Sequence, residues 1–203
     1  YQVDKAIKQA YNEGRIKRKI RLVCCAYHET LPVPDKPLPA DYDYENIIYF
    51  GRGPHENHSD RNAGVFLGTW TATGGGLMYN YVYPQETGNR TDVRWIAMTD
   101  NRGAGIQFLG AEPLSVSVWN TTQEEIQKAM HIGEPKMLLD AYVINVDHAQ
   151  TGVGGTDSWS QRARPYDEYR LMAKNYSYDF WMIPVRGLDD SVEAGRKYCT
   201  KSL

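Results

Sequence analysis

The chain has 203 residues, of which 41% are hydrophobic and 24% charged, and these values are ordinary for a globular domain with a core. Its formal net charge of -2 gives no electrostatic reason to expect nucleic acid as a partner. No apolar run approaches the roughly 20 residues that a membrane span requires, so we expect no membrane partner either. The three cysteines, Cys24, Cys25 and Cys199, form no disulfide framework and are interpreted as free thiols.

The first 40 residues differ in texture from the rest. Residues 1–21 are basic, and apolar residues from Val3 to Tyr11 recur at spacings of three and four, which predicts a helix that Gly14 would end. Four prolines within residues 31–40 predict an extended arm and the best domain boundary in the chain. The expected organisation is a basic helix-like segment and proline-rich arm at 1–40, a sandwich domain at 41–186 and a tail at 187–203.

From residue 46 onward, short apolar or aromatic runs alternate with Gly, Asn and Asp clusters, which is typical of an antiparallel β-sandwich. Asp100–Gly103 is typical of a hairpin, with Asn101 and Gly103 available for positive φ. The predicted strands are Asn46–Gly51, Ala63–Ala72, Val93–Thr99, Gly105–Leu109, Leu114–Trp119, Lys136–Asn145, Tyr166–Leu171 and Tyr176–Ile183.

Two short helices are predicted. The first begins at a capping threonine, Thr121 or Thr122, followed three residues later by a glutamate, and ends at Gly133. The second occupies Asp189–Tyr198 in the tail.

The first polar motif, Gly51–Arg61, directly follows a strand. Its His55 and His58, with Glu56 and Asp60 nearby, are half of a metal site at most, because no second histidine cluster completes them. We favour a sharp turn in which charged side chains satisfy backbone groups and one another.

The second motif, Tyr83–Trp95, places Arg90, Asp92 and Arg94 on one face of a strand if the alternation is regular. Such a row predicts an ion-pair ladder, and a cleft for a polar ligand is the alternative.

The third motif, Thr151–Ser160, places Trp159 on a glycine-rich loop beside Asp157 and Ser158. The indole either stacks on the C–H face of a sugar or anchors the loop, and the residues alone do not decide between the two. No pair of carboxylates is marked by motif or spacing, and no Gly-x-Ser-x-Gly elbow occurs, so we assign no catalytic residue and no metal ligand.

Together the three motifs carry a resemblance to a known family. Tyr49–Arg61 resembles the Gly-x-Gly-Pro-x-Glu-Asn-x-x-Asp-Arg signature of the small-chain domain, the C-terminal domain 5 of large glycoside hydrolase family 2 β-galactosidases. Tyr81–Trp95 is similar to that domain's Pro-x-Glu-x-Gly-x-Arg stretch, and Asp147–Trp159 to its Gly-x-Gly-Gly-x-Asp-Ser-Trp loop. The resemblance covers residues 44–185.

This resemblance implies an all-β fold, an antiparallel supersandwich related to galactose mutarotases, with minor short helices. It implies a parent enzyme that removes terminal β-galactose from lactose-like substrates. The catalytic glutamates and the magnesium of that enzyme lie in a TIM barrel that this chain does not contain. We therefore expect no cofactor in this chain, no hydrolysis by the chain alone, and the rest of the β-galactosidase as its partner.

By motif match, the residue that contacts the galactoside sugar is Trp159, with Asp157 and Ser158 beside it. The family provides no catalytic role for the charged residues of the first two motifs, which are interpreted as structural: Glu56, Asp60, Arg61, Glu86, Arg90 and Asp92.

Two other functions stay open. One is a stand-alone carbohydrate-binding module that uses the Trp159 loop, and the other is a mutarotase-like epimerase with His148 and Glu168 as acid and base. Residues 1–40 match nothing in the family by motif. A sandwich without its leading strands would expose edges and favour association, including a homo-oligomer. The compartment is open between the cytoplasm and the periplasm of a bacterium.

Overall fold

The computed structural model describes residues 19–23, 46–135, 138, 141–155 and 160–199. These residues form seven strands and two short α-helices. The strands are β1 (Lys19–Val23), β2 (Asn46–Gly53), β3 (Phe66–Ala72), β4 (Arg90–Thr99), β5 (Ala104–Trp119), β6 (Ala141–Asp147) and β7 (Phe180–Arg186), and the helices are α1 (Gln123–Lys128) and α2 (Leu188–Cys199). Neither helix of this described part has the length and apolar character needed to cross a bilayer.

The strands join in the order β1-β6-β5-β4-β2-β3, and β7 pairs with β5 outside this path. Every pairing is antiparallel except that of β1 with β6. One edge of β5 pairs with β4, whereas the other pairs first with β7 and then with β6. The prediction of an all-β, mainly antiparallel fold with minor helices is confirmed, and the described chain is consistent with an all-β sandwich.

Both faces of the sheet carry buried side chains, since successive side chains of a strand point to opposite sides. The larger core contains the fully buried Ile47, Ile96, Met98 and Phe108. The opposite face carries a smaller core around Trp95, against which Val192 of α2 packs. A third cluster joins Ile126 of α1 to Trp119 and Val143.

The predicted hairpin joins β4 to β5. The Asp100 carboxylate accepts hydrogen bonds from the backbone amides of Arg102 at 2.8 Å and Ala104 at 2.9 Å. Gly103 has a φ of 81°, while Asn101 is not among the positive-φ residues. Of the two residues predicted to be available for positive φ, only Gly103 therefore adopts it.

The capping residue of α1 is Thr122, whose hydroxyl accepts a hydrogen bond from the Glu125 amide at 3.2 Å. The helix is shorter than predicted, because the backbone is already extended at Ala129, before Gly133. Helix α2 confirms the second prediction and extends it by one residue at each end.

Three strand predictions need correction. The two strands predicted at Gly105–Leu109 and Leu114–Trp119 are one continuous strand, because β5 keeps pairing through Gly110 with β7. Tyr166–Leu171 is not a strand but contains a 3-10 turn at Asp167–Tyr169. The aromatic residues there satisfy a strand pattern, but local turn hydrogen bonds replace the ladder.

The helix predicted from Val3 to Tyr11 and the proline-rich arm at residues 31–40 lie outside the described residues. The described part of the basic segment, Lys19–Val23, is a strand. At the far end of the sheet, β3 pairs with β2 alone among the described strands, and its Phe66 and Leu67 are exposed. That is the exposed edge of a sheet, where association with another chain is favoured.

Gly105 lies on β5 between β4 and β7, and there is no room for a side chain at this position. A Cβ atom there would collide with the carbonyl group of Met98 on β4. We expect Gly105→Ala to lower the free energy of unfolding by about 1–3 kcal/mol, as overpacking does. Urea unfolding followed by far-UV circular dichroism measures this, with Gly64→Ala as control because a Cβ at Gly64 meets nothing within 4 Å. Equal midpoints for the two variants would contradict the expected steric limit.

Candidate functional site

The first polar motif forms the turn that follows β2, and Asn57 holds it together. Asn57 is fully buried, and its amide nitrogen donates to the carbonyls of Arg52 at 3.1 Å and His55 at 2.9 Å. Its side-chain oxygen accepts from the Thr91 amide at 3.0 Å, at the start of β4. Asn89 donates to the Asn57 carbonyl at 2.8 Å. One asparagine thus joins the first motif to the second.

The Glu56 carboxylate is the centre of this junction, and its side chain is only 6% exposed. It accepts hydrogen bonds from the Tyr81 hydroxyl, from the Gly88 amide at 2.6 Å and from the Thr87 hydroxyl at 3.2 Å. Arg61 Nη2 lies 3.4 Å from it. A buried carboxylate with several donors stays ionised.

The pKa of Glu56 reflects two opposed effects. Burial raises it, but the nearby His58 and the hydrogen bonds from Tyr81 and the Gly88 amide outweigh burial and lower the pKa from 4.5 to about 2. Burial and the hydrogen bond to Glu56 raise the pKa of the Tyr81 hydroxyl. Glu56 is therefore an anion at every physiological pH.

Arg90, at the start of β4, is only 4% exposed. Its Nε donates to the Pro54 carbonyl at 3.0 Å and to the Tyr49 hydroxyl at 3.3 Å. Its Nη1 donates to the carbonyls of Gly88 at 2.8 Å and Leu77 at 3.3 Å. The guanidinium therefore holds three loop segments by their backbones.

The ion-pair ladder predicted for Arg90, Asp92 and Arg94 is wrong. The pairing of β4 with β5 is irregular on both sides of Val93, and Asp92 has a φ of 54°. This bulge breaks the alternation, so Arg90 is buried while Asp92 and Arg94 are only partly covered. Asp92 instead pairs with Arg52, at 2.5 Å. Arg94 donates to the Asp92 backbone carbonyl at 2.5 Å.

Asp60 connects the first motif to the third. Its carboxylate oxygens accept hydrogen bonds from the amides of Val153 at 3.0 Å and Gly154 at 2.7 Å. Gly152 donates to the Tyr169 carbonyl at 2.7 Å, and Gly155 to the Ala163 carbonyl at 2.9 Å. Four backbone amides at the base of the glycine-rich loop thus have defined partners.

Two glycines of this loop cannot be replaced without strain. A Cβ at Gly152 would lie 2.5 Å from Asp60 Oδ2, so only glycine allows the close approach. Gly154 has a φ of 66°, and its Cβ would collide with the Ala163 carbonyl. The prediction that charged side chains of the first motif satisfy backbone groups and one another is confirmed by these contacts and by those of Glu56.

The residues predicted to contact sugar, Trp159, Asp157 and Ser158, lie outside the described residues. The described chain ends at Gly155 and resumes at Ser160, so Asp60 holds the base from which they extend. Of the epimerase candidates, His148 packs against the rings of Tyr176 and Tyr178 at about 5.9 and 5.8 Å. Glu168 is part of the 3-10 turn after the loop.

The two histidines of the first motif point to different environments. His55 is exposed, whereas His58 is buried with its Nε2 3.8 Å from Glu56. Within the described ranges, no group of three or more His, Cys, Asp or Glu side chains is placed to hold a metal ion. Glu86, interpreted as structural, accepts from Gln150 at 2.5 Å and so also approaches the third motif.

Sequence reasoning missed Asn57, Tyr81 and Thr87 as members of the junction. Their partners are 25 to 34 residues away along the chain. No periodicity or spacing within a motif marks such contacts.

These contacts define the class of protein: an all-β domain in which one polar turn holds both a buried charged junction and a glycine-rich loop. The family model described as "Beta galactosidase small chain" matches residues 9–182. The chain belongs to this family. The match begins at residue 9, so it includes most of the N-terminal segment for which the motifs gave no counterpart.

Several β-galactosidases are similar to the chain. That of Priestia megaterium is 31% identical over 179 residues, which are 86% of this chain and 17% of that protein. That of Halalkalibacterium halodurans is 40% identical over 139 residues, 67% of this chain and 13% of that protein. That of Vibrio cholerae is 31% identical over 170 residues, 84% of this chain and 16% of that protein. The chain therefore spans less than a fifth of the length of these relatives.

The low pKa of Glu56 makes folding depend on pH. Because the folded pKa is about 2 and the ordinary value is 4.5, Glu56 stabilises the fold above pH 4.5 and loses this contribution as pH falls towards 2. We expect Glu56→Gln to lower the free energy of unfolding at pH 7 by about 3 kcal/mol and to flatten its decline between pH 4.5 and 2.

Urea unfolding at several pH values measures this effect. The matched control is Glu193→Gln, on the exposed side of α2, which should leave the pH dependence unchanged. If the free energy of unfolding of Glu56→Gln declined between pH 4.5 and 2 as steeply as that of the wild type, the Glu56 carboxylate would not be the titrating group.

Removal of the Asp60 carboxylate should free the base of the glycine-rich loop. In Asp60→Ala, we expect hydrogen exchange of the Val153 and Gly154 amides to accelerate at least about tenfold, because each loses its acceptor. Exchange measured by NMR at these two amides is the readout. Asp189→Asn, an exposed carboxylate of α2, should change neither, and unchanged rates in Asp60→Ala would refute the role of Asp60.

Proposed function

We propose that the chain is the C-terminal domain of a glycoside hydrolase family 2 β-galactosidase and supports hydrolysis of terminal β-galactosides. The observation that carries this proposal is the meeting of three family motifs at one junction. Asp60 of the first motif holds the loop of the third, and Asn57 and Glu56 hold the second.

The contribution that we propose for this domain is one aromatic side chain. Trp159, four residues after the fixed amide of Gly155, would stack on the C–H face of the galactoside, with Asp157 and Ser158 beside it. The clamp at Asp60 would lower the entropy that the loop loses when sugar binds. Asp60 would thus act through Trp159 as a positioning residue.

Catalytic groups would come from the rest of the protein. The relatives are β-galactosidases, and this chain corresponds to 17% or less of each of the three described above. We propose that the acid/base and nucleophile glutamates, and a magnesium site, belong to a TIM barrel outside this chain. The partner of the domain is then that barrel, and the ligand that they share is a galactoside. The fold proposed for the complete domain is the supersandwich of the galactose mutarotases.

A chimera tests this function. The 179-residue region of the Priestia megaterium β-galactosidase that matches this chain would be replaced by the chain. We expect the chimera to hydrolyse a chromogenic β-galactoside, and the same protein lacking this region, or the chain alone, not to do so. A chimera that folds and assembles as the relative does but has no activity would refute the proposal.

The role of Trp159 is tested in the same chimera. We expect Trp159→Ala to raise KM about tenfold, since a stacked ring contributes about 0.5–1.5 kcal/mol beyond its burial, with partial rescue in Trp159→Phe. Trp181→Ala, on β7, is the matched control and should leave KM unchanged. A KM unaffected by Trp159→Ala would instead assign the indole to loop anchoring.

A further inference from the structure

A pocket of about 590 Å³ opens beside the Glu56–Arg90 junction. This volume lies within the range of about 300–1,000 Å³ that small-molecule sites occupy. Its polar wall includes Arg90, Arg61, Glu56, His55 and Tyr49, and Leu77, Tyr79 and Tyr81 form much of the remainder. The pocket therefore combines apolar rings with a few convergent polar groups.

One terminal nitrogen of Arg90, Nη2, has no hydrogen-bond partner among the described residues. A guanidinium carries five N–H donors, one on Nε and two on each terminal nitrogen. In Arg90, Nε and Nη1 donate to a phenol and to backbone carbonyls, whereas no described residue accepts a hydrogen bond from Nη2. Nη2 is also not one of the fully enclosed unpartnered atoms of the described chain. Since Arg90 lines the pocket, we place Nη2 on its inner surface.

The cation also lacks a direct counter-ion. Within the described ranges, no carboxylate oxygen lies within 4.0 Å of the Arg90 guanidinium. A charged group that is 96% covered and holds two unused donors favours a ligand that supplies oxygen acceptors.

The geometry decides which acceptors fit. A carboxylate binds arginine most strongly through two parallel bonds from neighbouring nitrogens. Nε and Nη1 are both occupied by carbonyl groups, so Arg90 cannot offer such a pair. Two hydrogens on the single nitrogen Nη2 instead suit two adjacent hydroxyl oxygens.

The mouth of the pocket offers an aromatic face. The Tyr79 side chain is 61% exposed, and its ring meets that of Tyr81 edge-on, with centroids 4.8 Å apart. The Tyr81 hydroxyl is held by Glu56, so this pair is oriented from within the junction. A sugar ring with its hydroxyl groups on Arg90 could place its C–H face against Tyr79.

We propose that this pocket is a binding site for a neutral, monosaccharide-sized polyol, with Arg90 Nη2 donating to adjacent hydroxyl oxygens and Tyr79 covering the ring. The proposal rests on the pocket and not on Trp159. It would hold for a domain inside a larger enzyme and for a stand-alone domain alike.

Titration of the whole chain with D-galactose, followed by NMR, tests the site. We expect saturable shifts of the Gly76, Leu77 and Met78 amides with a Kd of about 1–10 mM, and weaker binding of D-galacturonate and of acetate. Absence of these shifts would overturn the proposal. Tighter binding of acetate or D-galacturonate than of galactose would also overturn it, because the pocket would then be an anion site.

Two tyrosines of one segment provide matched variants. We expect Tyr79→Ala to raise the galactose Kd at least about fivefold, and Tyr83→Ala, whose exposed side chain is not part of the pocket wall, to leave it unchanged. Equal effects of the two variants would overturn the assignment of Tyr79.

Trp159→Ala separates this site from the proposed sugar contact of the glycine-rich loop. We expect the pocket shifts to persist in that variant. Their loss would assign them to the loop and refute the pocket. If Trp159→Ala leaves the KM of the chimera unchanged while the pocket shifts are retained, only the proposed role of Trp159 is refuted.

Discussion

The structure depends on one turn whose side chains act as hydrogen-bond acceptors for backbone amides elsewhere. Glu56 accepts from Gly88, Asp60 accepts from Val153 and Gly154, and Asn57 accepts from Thr91. Loop amides that are removed from water cost free energy unless they find a partner. Residues 51–61 provide these partners for two distant loops at once, which ties the glycine-rich loop to the sheet.

Carboxylates suit this role because they accept several hydrogen bonds at once and because donors keep them charged. The interactions of Glu56 with His58, Tyr81 and the Gly88 amide outweigh the cost of its burial, and its pKa falls to about 2. The adjacent Arg90 is the complementary donor, with two of its nitrogens on backbone carbonyls. The junction thus keeps its charges at neutral pH, and Arg90 also lines a pocket.

Membership in the β-galactosidase small-chain family and the contacts of the described residues support the same description of the domain, a sheet that holds a glycine-rich loop. The sheet provides the base, and Asp60 of the polar turn binds the amides at the start of the glycine-rich loop. This arrangement agrees with the general tendency of binding residues to lie on loops that a scaffold positions. The pocket beside Arg90 gives the same scaffold a second surface with polar and aromatic groups.

The sequence by itself determined the all-β class, the hairpin at Asp100–Gly103, both helices and the three motifs, because alternation, caps and glycines act over a few residues. Only the tertiary structure decided that β5 is continuous, that Tyr166–Leu171 forms a turn and that Arg90 points inward. The bulge at Asp92 and the partners of Glu56 and Asp60 depend on strands and loops far apart in the chain. Such contacts leave no local pattern, so the motifs could be found in the sequence but their junction and pocket could not.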